Sequence, residues 1–96
     1  MAAYTYGGPN DLCRTPTFPE ASLIKVGSGY MTATHSAEAA LVALGYDGVR
    51  VDGVFDSSSA AALTRFQSKH GLIADGTLGQ QSWTQLRSSL LQYSKC

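Results

Sequence analysis

The sequence predicts a mainly α fold: a small three-helix bundle built on two Asp-Gly turn-helix repeat units and preceded by an extended N-terminal arm. Three observations point there. Apolar residues recur at helical spacing in three stretches, residues that start or stop helices bound each stretch, and one turn-plus-helix phrase occurs twice. Val51-Asp52-Gly53-Val54-Phe55, running on to Ala62-Leu63, is echoed about 23 residues later by Ala74-Asp75-Gly76-Thr77-Leu78, running on to Gln85-Leu86. Two units are too few for a solenoid, so the repeat lies within one domain. A chain of 96 residues fits one small domain with a limited core.

Residues 1–25 form the arm and residues 26–96 the helical domain. Gly7-Gly8-Pro9-Asn10 and Thr15-Pro16-Thr17-Phe18-Pro19 hold all three prolines of the chain. Such turn chemistry suits an extended segment lying on the domain, pinned by Tyr4, Tyr6 and Phe18, or a flexible leader. Leu23-Ile24-Lys25-Val26 then leads into the loop Gly27-Ser28-Gly29. The first helix is predicted from near Ser36 to Leu44, with Ala37, Ala40, Leu41 and Leu44 on one face and Gly45 as its stop. Tyr46 to Gly53 form a turn-rich connection. The second helix enters at Asp56 or Ser57, whose side chains can cap free amides. It buries Ala62, Leu63 and Phe66 and ends at Gly71, after which Leu72 and Ile73 return to the core. The third starts near Gln80 and carries Trp83, Leu86, Leu90 and Leu91 inward. In each Asp-Gly turn the Asp carboxylate can accept from following backbone amides, which makes Asp52 and Asp75 scaffold residues.

Composition narrows the function. Seven Lys and Arg balance seven Asp and Glu without a run of one sign, so no basic face for nucleic acid is legible. The apolar runs are a few residues long, against the roughly 20 that a membrane-spanning helix needs. Met1-Ala2-Ala3-Tyr4 lacks the basic start and apolar run of a secretory signal; an exported form has lost its leader. Cys13 and Cys96 lie near opposite ends of the chain, without the close spacing of a metal knuckle or redox pair. They are either bridged, which implies an oxidising extracellular setting, or two free thiols. His35 and His70 are isolated and read as solvated, so neither a metal site nor a cofactor is expected. Cys13 has no neighbouring helix start to activate it as a nucleophile, and Gly27-Ser28-Gly29 lacks the Gly-x-Ser-x-Gly elbow. Asp52 and Asp75, on equivalent turns, are poorly placed to share a glycoside-hydrolase cleft. No enzymatic activity is expected.

Leu44-Gly45-Tyr46, Val51-Asp52-Gly53-Val54-Phe55, Ala62-Leu63-Thr64-Arg65-Phe66-Gln67, Gly71-Leu72, Ala74-Asp75-Gly76, Gly79 and Ser82-Trp83-Thr84-Gln85-Leu86 follow one another in this order. In this series the chain resembles the peptidoglycan-binding domain-1 family, three-helix modules appended to bacterial and phage cell-wall enzymes, over about residues 26–90. It departs from the family's pattern in the register of the Gly-Ser loop, which sits about one residue out, and at several residues. Ala37-Glu38 stands where a Leu-Gln pair is usual, Asp56 where a Gly follows the Phe, and Ser59 and Ser82 where Thr is customary. The Ser residues keep a hydroxyl at the helix entry, whereas the loss of Leu-Gln removes an apolar anchor and an amide from the first helix.

The resemblance implies a non-catalytic, secreted, wall-associated monomer that binds the stem peptide and glycan of peptidoglycan and targets a catalytic hydrolase domain to it. Free carboxylates, amides and flat sugar faces call for guanidinium, amide and aromatic groups in the receptor. Tyr46, Arg50, Arg65, Gln67, Gln81 and Trp83 can supply them. Gln67 also reads as a buried amide tying its helix to a loop, and Trp83 as core. The alternative function is a protein-interaction or pro-segment role, since the fold also resembles the propeptide of matrix metalloproteinases; Cys13-Arg14 and Cys96 lack the Pro-Arg-Cys-Gly switch of those propeptides.

Overall fold

The described residues form four helices: α1 (Pro9–Arg14), α2 (Thr32–Ala43), α3 (Ser57–Lys69) and α4 (Gln80–Gln92). The computed structural model describes residues 9–28 and 32–95; Tyr4, Tyr6, Gly29 and Cys96 lie outside the described residues. The three helices of the bundle are α2, α3 and α4. The arm adds α1, a single short helix that its turn-rich sequence does not announce. Pro9 stands at its first position, where a missing N–H breaks no intrahelical bond.

Helix α2 packs against all three others. Its inner surface is mostly alanine, with Ala33, Ala37 and Ala40 buried beside Leu41, so neighbouring backbones can approach closely. It begins at Thr32, four residues before the expected start, because burial of Ala33 and Thr34 extends the packed surface beyond the apolar pattern. In α3, Asp56 is the N-cap and accepts from the Ser58 and Ser59 amides, while Ala62, Leu63 and Phe66 are wholly buried. Trp83, Leu86 and Leu90 form the inner face of α4.

The three bundle helices end alike. Tyr46 N–H donates to Leu41 O and Gly45 N–H to Val42 O; Leu72 and Gly71 do the same to Gln67 and Ser68, and Lys95 and Ser94 to Leu90 and Leu91. Each pair is a Schellman ending, which satisfies carbonyls that the last turn leaves open. In the second of them Leu72 takes the position that folds back on the helix. Ile73 follows on the outside and is 74% exposed, so the expected return of Ile73 to the core does not occur. Leu91, expected inward, is exposed as well, because it sits about 100° round the helix from Leu90.

The arm lies on the domain. Leu12 and Ile24 are wholly buried in the same core as Phe66 and Trp83. Ile24 and Leu78 exchange both backbone hydrogen bonds, at 2.9 and 2.8 Å, in an antiparallel bridge. Further along, α4 side chains hold the arm's carbonyls. Gln80 Nε2 donates to Pro16 O at 3.0 Å, Trp83 Nε1 to Thr15 O, and Arg87 Nε to Cys13 O at 2.9 Å. Gln80 Oε1 also accepts from Phe18 N at 2.7 Å.

The second Asp-Gly turn sits directly against α3. A Cβ on Gly76 would meet Thr64 Oγ1 at 2.9 Å, and that hydroxyl is itself tied to Ala60 O at 2.8 Å. Gly71 has nearly the same backbone, φ +72° against +71°, with nothing within 4 Å. Gly71→Ala is therefore expected to cost about 1 kcal/mol, the left-handed backbone cost alone. Gly76→Ala adds the collision and should cost about 2–3 kcal/mol. Equal losses in denaturant unfolding would show that the turn does not press on α3.

Candidate functional site

The Asp-Gly turn of each repeat unit is locked by a buried side chain from a preceding helix. At the first, Glu38 of α2 is 0% exposed. Its Oε1 accepts from the backbone amides of Asp52 and Gly53, at 3.2 and 3.0 Å, and its Oε2 from the Ser59 hydroxyl. At the second, Gln67 Oε1 accepts from Gly76 N at 2.9 Å. Gln67 Nε2 donates to Thr77 O at 2.9 Å, Ser82 Oγ at 2.8 Å and Asp75 Oδ1 at 3.3 Å. Ser59 and Ser82 each follow their Asp by seven residues, so the two locks are equivalent. Within each turn the Asp accepts from the amide two residues on, Asp52 from Val54 and Asp75 from Thr77, both at 3.0 Å.

The locks differ in charge. Gln67 donates and accepts as a neutral amide, whereas Glu38 brings a carboxyl into the core. Desolvation by burial raises its pKa above the ordinary 4.5, against the opposing pull of the Ser59, Gly53 and Asp52 hydrogen bonds. Asp56 and Asp75 go the other way. The Ser58 hydroxyl, then the Ser59 amide, hold Asp56 low, and the Thr77 amide does the same for Asp75. The missing Leu-Gln pair does not loosen α2: Ala37 is buried and Glu38 takes over the tie to the turn. Residue spacing does not reveal Glu38, which lies 15 residues before its glycine where Gln67 lies 9 before its own.

The expected ligand residues separate into three places. Tyr46 and Arg65 come together: the Arg65 guanidinium carbon stands 5.9 Å from the Tyr46 ring centroid and Nη2 donates to Asp47 O at 3.3 Å. Tyr46 in turn meets Phe66 edge-on, and Phe66 lies 4.5 Å from the His70 ring, so His70 is packed rather than freely solvated. Arg50 is exposed on the connection before the first turn. Gln81 is exposed in the first turn of α4, beside a small pocket of about 160 Å³ that Gln67, Thr77 and Ser82 also line.

Burial corrects two of the assignments. Trp83 is 1% exposed, with its N–H committed to Thr15 O and Phe18 edge-on at 5.6 Å, so its ring is not open to stack on a sugar. Gln67 is 2% exposed and its amide is fully engaged, so it shapes the turn instead of reaching a ligand. Among the described residues no cysteine is free, no group of His, Cys, Asp and Glu could hold a metal ion, and no helix is long and apolar enough to cross a membrane.

A helical domain of two turn-helix units, each turn locked by a buried side chain, is the class of protein this fold defines. The chain belongs to the family described as "Putative peptidoglycan binding domain", whose model matches residues 32–86. Among solved structures it is similar to the SleB N-terminal domain, at 28% identity and a TM-score of 0.66, over 73% of this chain and 94% of that one. It is also similar to a peptidoglycan-binding protein from Clostridioides difficile, solved in complex with glutamine hydroxamate. There the identity is 35% and the TM-score 0.63, over 68% of this chain but 40% of that one. No curated protein matches the chain.

The charged lock sets a pH dependence. Because burial raises the pKa of Glu38 in the folded state, its contribution to stability is complete below the unfolded-state value and is lost as pH rises through the folded one. Glu38→Gln, which copies the second lock, should raise stability near neutral pH, the direction set by desolvation of the carboxylate. The gain should vanish in acid, where Glu38 is protonated in both states. Denaturant unfolding of both proteins across this range checks it; a variant less stable at neutral pH would mean that charge-assisted hydrogen bonds outweigh desolvation.

Proposed function

We propose that the chain is a non-catalytic peptidoglycan-binding module that holds an attached or associated catalytic hydrolase near the bacterial wall. The observation that carries this reading is the family match over residues 32–86, the stretch that contains both locked turns. The peptidoglycan-binding protein among its solved neighbours supports the same ligand. A targeting module needs only modest affinity, because it acts by raising the local concentration of its partner at the polymer.

The residues proposed to contact the wall are the exposed Arg50, Arg65 and Gln81 and the half-buried Tyr46. Arg65 is the strongest of them. Its guanidinium is steadied by Tyr46 and Asp47 O, so less freedom is lost when it forks onto a stem-peptide carboxylate. In this reading Gln67 and Trp83 serve binding only through the scaffold. Folded domain incubated with purified insoluble peptidoglycan should sediment with it, and with neither chitin nor cellulose. Arg65→Ala should weaken retention about tenfold without lowering Tm. Passage through all three polymers would overturn the reading and favour a protein partner.

The module is further proposed to be secreted and monomeric, with Cys13 bridged to Cys96. Cys13 is nearly buried and not a free thiol, and the chain has two cysteines in all. On the loop-entropy model such a bridge, closing about 80 residues, stabilises by roughly 4 kcal/mol. Reduction should therefore lower Tm while leaving helical circular dichroism in place at low temperature; mass spectrometry that finds two free thiols in oxidised, folded protein would refute the bridge.

A further inference from the structure

Where the arm crosses the start of α2, it leaves a pocket of about 410 Å³. Arg14, Thr15 and Glu20 of the arm line it, with Thr32 and Ser36 of α2 and the indole of Trp83. The volume is within the range of small-molecule sites. Its wall is preorganised. Trp83 cannot turn, because its N–H is held by Thr15 O and its ring by Phe18, and Ser36 is 2% exposed. Arg14, Thr15 and Glu20 precede the family-matched segment, whereas Thr32, Ser36 and Trp83 lie within it, so the pocket is formed where the arm meets the matched scaffold.

We infer that this pocket binds the head of a free α-amino acid. Among the described residues one guanidinium and one carboxylate border it, beside the Thr32 hydroxyl. A ligand bearing only a negative charge gains from Arg14 and is opposed by Glu20; one bearing only a positive charge meets the reverse. An ammonium and a carboxylate on one carbon satisfy both. A guanidinium has five donors in a fork, so Arg14 can hold a carboxylate bidentately while keeping another partner. The exposed Thr32 hydroxyl supplies a neutral hydrogen bond, while Trp83 and Ser36, 1% and 2% exposed, back the pocket from within. The inference does not depend on the wall-binding reading, since its residues are distinct from Tyr46, Arg50, Arg65 and Gln81.

Trp83 is the only tryptophan in the chain, so its emission is assigned to one residue, which backs this pocket. The test is a fluorescence titration of the intact protein with alanine in both hands and with glutamine, using propionate and propylamine as single-charge controls. A saturable change is expected with the amino acids, and binding about tenfold weaker or worse with either control. Arg14→Gln and Glu20→Gln should each weaken amino-acid binding by a similar factor, with Tm retained in Glu20→Gln. Equal response to propionate would reduce the pocket to an anion site, and no response to any amino acid would end the proposal; the comparison of probes on the unmodified protein decides this even if a variant fails to fold. Sedimentation with insoluble peptidoglycan, measured separately, keeps failure here distinct from failure of the wall-binding reading.

Discussion

Two buried side chains, Glu38 and Gln67, hold the geometry on which the rest of this domain depends. Gly53 and Gly76 are buried, so their backbone amides are cut off from water and need partners inside the protein. Each finds its acceptor on a helix that precedes the turn. One such bond contributes about 1 kcal/mol net, yet leaving the amide unpaired would cost about 1–3 kcal/mol, so the asymmetry rather than the mean fixes the turn. Each lock also reaches the hydroxyl that opens the next stage of the chain, Ser59 in α3 and Ser82 in α4. Helix, turn and following helix are thereby fixed as one unit, twice.

The arm is held by a different device. Gln80, Trp83 and Arg87 are spaced along one face of α4, and their side chains donate in turn to Pro16, Thr15 and Cys13 carbonyls. The arm thus runs antiparallel to α4, and its unpaired carbonyls are satisfied by side chains rather than by a sheet. Trp83 gives both its N–H and its ring to this contact. That commitment removes it from sugar stacking, and the same commitment makes it a fixed wall for the pocket between arm and α2.

Function therefore divides between a shared scaffold and what is displayed on it. The matched segment, residues 32–86, contains both locks and identifies the family. Both locks are buried, so the family signature speaks mainly of how the turns are built. The groups available to a polymer are those the locked turns and helix surfaces leave outside: Arg65 steadied by Tyr46, Arg50 on the connection, and Gln81 at the start of α4. A rigid scaffold with few exposed polar contacts suits a module that localises a partner.

Much of this was legible in the residues. Apolar spacing gave α3 and α4, the side chain of Asp56 announced the α3 entry, Gly45 and Gly71 marked helix ends, and the repeated Asp-Gly phrase gave the two units, because these are local effects of backbone geometry and capping. The sequence likewise determined that Asp52 and Asp75 bond their own turns. The tertiary structure alone decided what depends on long-range contact. It paired Ile24 with Leu78, started α2 at Thr32, buried Trp83 beneath the arm, left Ile73 and Leu91 outside, and brought Glu38 to Gly53 across 15 residues. A buried partner is chosen by how whole elements pack, and one residue's spacing to the next carries no record of that choice.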